Sequence, residues 1–172
     1  MSATTLIPVD EYLRYSEKPN CEYRDGVLYP KPMPTTFHGR LELMLAVMLC
    51  KLGLEAAPEV TVNLSPTKFL VPDVIAAPVL QIPYPTEPVL LCCEILSPED
   101  RLGTMLAKCE EYHAWGVPFC WVIDPIKRTA WEYHSGAEPV RVTGALRAGE
   151  HSVNLEELFS RGLISNTDLK RL

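Results

Sequence analysis

Two carboxylates stand alone inside apolar segments. Asp73 interrupts the apolar run at residues 69–77, and Glu94 interrupts the run at residues 89–96. A buried carboxylate is costly unless it is paired, hydrogen-bonded or bound to a metal. On neighbouring strands the two charges would repel each other, and a bridging divalent cation would remove that repulsion. The two acids therefore predict a shared metal site, with a loop-facing or salt-bridged position for each acid as the alternative.

Lys108 is one cation that could reach these acids from a neighbouring helix. A helix predicted between residues 98 and 115 has an apolar stripe, and Lys108 lies on the flank of that stripe. The stripe consists of Leu102, Met105, Leu106, Cys109 and Tyr112. The four-carbon stem of a lysine can run along such a stripe and bring its ammonium to the sheet. A solvated lysine on the helix flank is the alternative.

The elements that would position these residues follow from the hydrophobic pattern. A short helix is expected near residues 9–15, a hairpin turn at Asp25-Gly26, and a first long helix from His38 to Leu52 with Gly53 as its stop. Apolar and β-branched runs predict strands at residues 59–64, 71–79, 89–96, 119–123 and 129–134. Asn154 is expected to cap a last short helix, and the final dozen residues are expected to be peripheral.

The start of the second long helix is assigned to Ser97-Pro98-Glu99-Asp100. Serine is a favoured N-cap, proline is favoured at the first helical position, and an acid suits the first turn. This helix is expected to end near Trp115, because Gly116 follows.

The resulting order predicts one α/β (α+β) domain over residues 1–172, with a central mixed sheet flanked by helices in the order αβββαβ. Residues 1–36 are expected to form an N-terminal arm with a β-hairpin, residues 37–134 the core, and residues 135–172 a C-terminal extension.

Composition limits the classes of protein. The 172 residues carry a net charge of −6 and contain no apolar run long enough to cross a bilayer. The first residues lack the pattern of a secretory signal, so we expect a cytoplasmic location. The six cysteines form no CxxC pair and are expected to be buried and reduced. An acidic chain is not a typical non-specific nucleic-acid binder, although a local basic groove can still bind phosphates.

The ordered motifs resemble a known family. Pro72-Asp73 followed by Glu94 on the next strand resembles the PD-(D/E)XK nuclease superfamily, in which a lysine usually follows the second acid by two positions; Leu96 stands there in this chain. The fuller set resembles the Uma family of restriction-endonuclease-like proteins over roughly residues 8–134, and in that family the lysine is thought to lie on the following helix. The set comprises Glu22-Tyr23-Arg24-Asp25-Gly26, His38, Pro72-Asp73-Val74, Glu94-Ile95-Leu96-Ser97-Pro98, Lys108 with Tyr112, Gly116-Val117-Pro118 and Trp121-Val122-Ile123-Asp124-Pro125.

The resemblance implies a restriction-endonuclease-like core and a metal-dependent endonuclease with Asp73, Glu94 and Lys108 in the catalytic places. Asp73, Glu94 and the carbonyl of Ile95 would hold Mg²⁺ or Mn²⁺. Lys108 would position or deprotonate the attacking water, while the metal would lower the pKa of that water and stabilise charge on the phosphate. DNA is the expected substrate and a homodimer the expected assembly, since two-fold symmetry suits cleavage of both strands.

Two further residues, Glu22 and His38, have two interpretations each. Glu22 would complete the metal shell or orient Lys108, or be a hairpin acid paired with Arg24. His38 would face the site or make a local hydrogen bond at the helix start, and Tyr112 would support Lys108. Asp124 is expected to cap a turn. The three tryptophans are expected in the core or at an interface: Trp115, Trp121 and Trp131.

Two other functions stay open at this point. A nuclease fold that lost turnover would act as a nucleic-acid-binding or interaction module, and Lys108 pointing away from the acids would favour it. An enzyme acting on another phosphate ester, such as a nucleotide, would require a small closed pocket.

Overall fold

The structure is a computed structural model that describes residues 6–14 and 20–162. The helices are α1 Val9–Tyr12, α2 Thr36–Lys51, α3 Leu102–Trp115 and α4 Leu155–Arg161. The strands are β1 Cys21–Arg24, β2 Val27–Pro30, β3 Glu55–Pro58, β4 Val62–Ser65, β5 Lys68–Leu70, β6 Val74–Ala77, β7 Leu91–Ile95, β8 Phe119–Asp124, β9 Thr129–His134, β10 Val140–Val142, β11 Ala145–Ala148 and β12 His151–Asn154.

A six-stranded sheet in the order β10-β9-β8-β7-β6-β3 forms the centre of the molecule. Its β7–β8 pair is parallel, and its other pairs are antiparallel. Helices α2 and α4, together with the β11–β12 hairpin, cover one face, while α3 covers the other. The predicted mixed sheet with helices on both sides is confirmed.

Alternation along β7 sends its side chains into two separate cores. Cys93 and Ile95 pack with α2 and α4, whereas Cys92 packs with α3. Successive side chains of a strand point to opposite faces, so Glu94 lies on the α3 face with Cys92. This is why an acid on β7 can meet a lysine on α3.

The N-terminal hairpin belongs to a second, four-stranded sheet in the order β2-β1-β5-β4. Asp25 and Gly26 form its turn with φ of +50° and +90°, which confirms the predicted hairpin. Strand β1 pairs with β5, placing Tyr23 opposite Phe69. The N-terminal hairpin is thereby joined to β5, which leads into the start of β6.

The predicted start of the second long helix is wrong. Helix α3 begins at Leu102, and its N-cap Arg101 lies four residues after the predicted cap Ser97. The carboxylate of Asp100 accepts a hydrogen bond from the amide of Ser97 at 2.7 Å, and the Asp100 amide donates to the Ser97 carbonyl at 3.0 Å. These bonds close a separate turn over the residues that would otherwise form the first helical turn.

Five strands were not predicted, and one predicted strand joins a different sheet. Strands β3, β5, β10, β11 and β12 are additional. The run predicted at 59–64 becomes β4 of the smaller sheet, because Glu59 has a φ of +55° and turns the chain after β3. Strand β10, from the expected C-terminal extension, is an edge strand of the central sheet.

Near the ends of the chain the first helix is shorter than predicted, and the last helix has the predicted cap. Helix α1 ends at Tyr12 rather than near Tyr15, which lies outside the described residues. Asn154 caps α4 by accepting a hydrogen bond from the Glu157 amide, as predicted. The expectation for the last dozen residues falls largely on 163–172, outside the described residues. None of the described helices is long and apolar enough to cross a membrane.

Candidate active site

The register of the central sheet brings the two predicted acids together. Strands β6 and β7 pair Val74 with Cys93, so the next step of this antiparallel register places Asp73 opposite Glu94. Both residues are buried, with 3% and 2% exposure. One Asp73 oxygen accepts a hydrogen bond from the Ile95 amide at 2.6 Å, and all three residues line one pocket of about 330 Å³.

Helix α3 supplies the partners of Glu94. The Tyr112 hydroxyl donates a hydrogen bond to Glu94 Oε1 at 2.6 Å, and Lys108 Nζ lies 2.9 Å from the same oxygen. Burial raises the pKa of Glu94 to about 7, even though the Lys108 charge opposes the shift. Lys108 and Tyr112 are therefore the partners that a buried carboxylate at Glu94 requires.

Lys108 points into the pocket and contacts a second acid there. Its Nζ lies 2.6 Å from Glu22 Oε1 and 3.5 Å from the Val71 carbonyl oxygen. Burial alone would lower the pKa of Lys108, but attraction to Glu94 and Glu22 outweighs it and holds the pKa above its usual value. Lys108 is therefore an ammonium at neutral pH. Glu22 also lies 3.4 Å from Arg24. It therefore contacts both Lys108 and Arg24, the two partners considered for it.

Asp73 is held by cations from two other elements. Lys31 Nζ donates to Asp73 Oδ1 at 2.7 Å, and His38 Nε2 lies 3.3 Å from Oδ2. Burial would raise the pKa of Asp73, but His38 and Lys31 together keep it well below its usual range. Asp73 is therefore ionised.

His38 faces the site from the first turn of α2. Thr35 caps the helix by accepting a hydrogen bond from the His38 amide, which fixes the position of the residue. Its Nε2 lies 3.2 Å from Glu42 Oε1 as well as close to Asp73. Burial would lower the pKa of His38, but the two carboxylates raise it to about 10. The His38 imidazole therefore faces the site, while the amide of the same residue makes the local hydrogen bond at the helix start.

Three site residues were missed by the sequence analysis: Lys31, Glu42 and Glu59. Lys31 Nζ contacts Glu59 Oε1 at 2.7 Å and the Val71 carbonyl oxygen at 2.9 Å. Glu42 carried a usable signal, because it follows His38 by four residues and so shares its helix face. Lys31 and Glu59 lie in short connections after Pro30 and Pro58, where no periodicity points to them.

The charges that line the pocket do not balance. Six carboxylates face four groups that can carry a positive charge, so the acids outnumber the cations by two. The acids are Glu22, Glu59, Asp73, Glu94, Asp100 and Glu111, and the cations are Arg24, Lys31, His38 and Lys108. Clustered carboxylate oxygens with this excess suit a hard divalent cation. The residues present therefore fit Mg²⁺ or Mn²⁺.

An ion-pair cluster lies at the edge of the pocket. Arg24 Nη1 donates to both oxygens of Glu111, at 2.7 and 2.8 Å, and Lys68 Nζ contacts Glu111 Oε2 at 2.9 Å. Burial would raise the pKa of Glu111, but the two cations lower it. The cluster joins α3 to β1 and β5.

The interpretations made for other residues are confirmed. Asp124 Oδ1 accepts a hydrogen bond from the Lys127 amide and so caps a turn. Trp121 is fully buried, while Trp115 and Trp131 are partly buried against the core beside α3. Five of the six cysteines are buried as expected, and the sixth, Cys50, is exposed.

Comparison with known proteins identifies the fold and the family. A solved structure, described as that of a putative nuclease belonging to DUF820 from Anabaena variabilis ATCC 29413, superposes with a TM-score of 0.74 at 22% sequence identity, covering 91% of this chain and 99% of that chain. At this identity the likeness shows the fold, which is restriction-endonuclease-like. No curated protein matches the sequence. The model of the family Uma2, described as "Putative restriction endonuclease", matches residues 9–168, and this chain belongs to that family.

Proposed function

We propose that this chain is a metal-dependent nuclease that hydrolyses phosphodiester bonds of DNA in the pocket around Asp73 and Glu94. The family description and the description of the Anabaena protein support a nuclease. The observation that carries the proposal is the position of Lys108, whose Nζ lies 2.9 Å from Glu94. A lysine turned away from the acids would have favoured a module that binds without cleaving.

Asp73, Glu94 and the carbonyl of Ile95 are the groups that would hold Mg²⁺ or Mn²⁺. Their oxygen donors are those that both ions prefer. When bound, such an ion lowers the pKa of a water and stabilises negative charge on the phosphate. Asp73 is ionised and hydrogen-bonded to β7, so its orientation is fixed before any ion arrives.

Lys108 acts as a hydrogen-bond donor in this proposal. Because the neighbouring acids keep it protonated, it donates to the attacking water or to a phosphate oxygen and does not remove a proton. Glu22 and Tyr112 are positioning residues: Glu22 holds the ammonium, and Tyr112 holds the carboxylate that Lys108 contacts.

The mouth of the pocket suits a polymer rather than a small nucleotide. Exposed residues from the segment after β2 and from α3 form its rim, so the pocket opens to solvent. These rim residues are Pro32, Pro34, Thr104 and Ala107. A nucleic-acid strand can cross such an opening, whereas a free nucleotide is usually enclosed.

We also propose that the active form is a homodimer, because two-fold symmetry presents two pockets to the two strands of a duplex. Light scattering on the pure protein, alone and with duplex DNA, tests this. A monomer under both conditions would contradict it.

The decisive experiment is a cleavage assay on plasmid and oligonucleotide substrates in Mg²⁺ or Mn²⁺. Asp73→Asn, Glu94→Gln and Lys108→Met should each lower the rate by roughly 100-fold or more, as expected when a group that stabilises the transition state is removed. Lys51→Met is the matched control, because Lys51 is an exposed lysine at the end of α2, and it should leave the rate unchanged. Cleavage that persists in the Asp73 and Glu94 variants would refute the assignment. Binding without cleavage by the unaltered protein would favour a binding module.

A further inference from the structure

Lys31 is a lysine that enters the pocket from the segment after β2 and is largely buried there. Its side chain is 14% exposed, and its Nζ donates hydrogen bonds to Asp73 Oδ1 and to Glu59 Oε1, each at 2.7 Å. A third hydrogen bond goes to the Val71 carbonyl oxygen at 2.9 Å. An ammonium has three hydrogens to donate, so all of them are used inside the pocket. Lys108 acts on the substrate in the proposed function, whereas Lys31 has no part in it.

The two oxygens of Asp73 have different partners. Oδ2 accepts a hydrogen bond from the Ile95 amide at 2.6 Å and lies 3.3 Å from His38 Nε2. Oδ1 is the oxygen that Lys31 contacts. A divalent ion binds through carboxylate oxygens, so an ion held by Asp73 competes with Lys31 for Oδ1.

The charges around Lys31 make it exchangeable for such an ion. Burial would lower the pKa of Lys31, but attraction to Asp73 and Glu94 outweighs burial and holds the pKa above its usual value. Glu59 adds to the attraction, and the positive charge of Lys108 opposes it. Lys31 therefore places a full positive charge beside the acids that would hold Mg²⁺ or Mn²⁺. A divalent ion brings twice that charge to the same acids and repels the ammonium.

Lys31 can leave Asp73 by moving toward solvent. It lies between Pro30, which ends β2, and Pro32, which is exposed on the rim of the pocket. The side chain of Glu59 is 28% exposed and that of Asp73 only 4%, so Glu59 lies nearer to the mouth. The flexible four-carbon stem of a lysine allows its ammonium to turn from one acid toward the other.

We propose that Lys31 is an exchangeable counter-ion of the active site, which neutralises and orients Asp73 while no ion is bound and yields Asp73 Oδ1 to Mg²⁺ or Mn²⁺. The proposal rests on the metal position of the proposed function, at Asp73 and Glu94. Lys31 is a positioning residue, because it acts through Asp73 and not on the substrate. The exchange keeps the buried Asp73 carboxylate paired with a cation before and after the ion binds, which avoids the cost of an unpaired buried charge.

The first measurement is the affinity for Mn²⁺, by titration calorimetry without substrate. Lys31→Met should bind Mn²⁺ roughly tenfold or more tightly than the unaltered protein, because the ion no longer has to displace an ammonium. A merely structural lysine would give the opposite sign, since its loss would disorder Asp73 and weaken binding. Lys68→Met is the matched control, because it removes a positive charge that contacts Glu111 at the edge of the pocket. It should change the affinity by less than about threefold, since an exposed charge is screened by salt.

The second measurement follows Lys31 itself, by reductive methylation and mass spectrometry of the unaltered protein. Lys31 should be protected in EDTA and should react roughly tenfold faster in saturating Mn²⁺, as expected when a hydrogen bond between charged groups is lost. The exposed Lys51 at the end of α2 should react equally under both conditions. This measurement decides the question if circular dichroism shows that Lys31→Met does not fold.

The outcomes separate this proposal from the proposed function. Mn²⁺ binding that leaves Lys31 protected would overturn the exchange and leave the metal-dependent nuclease standing. An affinity for Mn²⁺ that is unchanged or lower in a folded Lys31→Met variant would do the same. Lack of any Mn²⁺ binding by the unaltered protein would overturn both proposals.

Discussion

Each of the two central acids is compensated by specific partners. Glu94 has Lys108 and Tyr112, and Asp73 has Lys31 and the Ile95 amide. Buried ion pairs add little net stability, because desolvation offsets their attraction, but removing one partner strands a buried charge. The partners therefore preserve the geometry of the site more than they stabilise the fold.

Replacing Tyr112 with Phe should destabilise the metal-free protein by about 1 to 3 kcal/mol. The change removes a 2.6 Å hydrogen bond from the buried Glu94 carboxylate and leaves that oxygen with one donor fewer. Urea denaturation in EDTA measures the loss. Tyr133→Phe is the matched control, because Tyr133 donates to the exposed Glu110 at 3.3 Å, and it should change stability by less than about 0.5 kcal/mol. Equal losses for the two variants would contradict the prediction.

At the scale of elements, Gly116 ends the helix that carries Lys108 and Tyr112. Gly116 closes the helix with a φ of +120°, and its amide bonds to the carbonyl oxygens of Tyr112 and His113. A side chain at this position would also meet Pro88 at 2.8 Å. Both the backbone conformation and the contact therefore require glycine.

Gly116→Ala should destabilise the protein by about 2 to 4 kcal/mol, combining the strain of a positive φ with the overlap against Pro88. Gly53→Ala separates the two effects. Gly53 has a φ of +87°, but a methyl group there would meet nothing within 4 Å, so its cost should be about 1 to 2 kcal/mol. Urea denaturation of both variants gives the comparison. A Gly116→Ala loss no larger than that of Gly53→Ala would show that the Pro88 contact is not restrictive.

The Glu111 ion pairs join three elements and should make part of the stability depend on pH. Arg24 and Lys68 lower the pKa of Glu111, so its contribution is present above the unfolded value of about 4.3 and is lost as the pH falls through the folded pKa. Glu111→Gln should therefore cost at most about 1 kcal/mol at pH 7, since the pair is partly exposed, and almost nothing near pH 3. Urea denaturation at the two pH values measures this, with Glu110→Gln as the exposed control. A difference that persists at pH 3 would contradict the ion-pair explanation.

At the scale of the whole molecule, the site lies where three parts of the chain meet. The hairpin sheet and the segment that follows it provide Glu22 and Lys31, α2 provides His38, and β7 with α3 provides Glu94 and Lys108. An ion bound there would add a further link between these parts of the chain in the folded state.

Millimolar Mn²⁺ should therefore raise the melting temperature relative to EDTA. An ion at 100 times its Kd adds about 2.7 kcal/mol to stability, which corresponds to roughly 5 to 10 °C for a chain of this size. Scanning calorimetry on the unaltered protein and on Glu94→Gln checks this, and the variant should shift less. Identical melting temperatures with Mn²⁺ and EDTA would count against the metal site.

Short-range patterns predicted most elements correctly. Asp25-Gly26, Gly116 and Asn154 each act through their own backbone or cap, so neighbouring residues were sufficient to place the hairpin and the helix ends. The same reasoning failed at Ser97, where residues 97–100 close a turn of their own and the helix begins only at Leu102. It also failed for short strands such as β10. Such a strand forms because a neighbouring strand, here β9, is available for pairing, and not because of its own hydrophobic pattern.

The sequence by itself determined which residues had to find partners, because a carboxylate in an apolar run is costly wherever that run is buried. It thereby singled out Asp73 and Glu94, whereas Lys108 was identified by its place beside the apolar stripe of a helix and by the family resemblance. Only the tertiary structure decided which residues are the partners of the buried acids. Lys31 and Glu59 enter the site through the sheet register and the path of connections between strands, and that register is set by pairing between residues far apart in sequence.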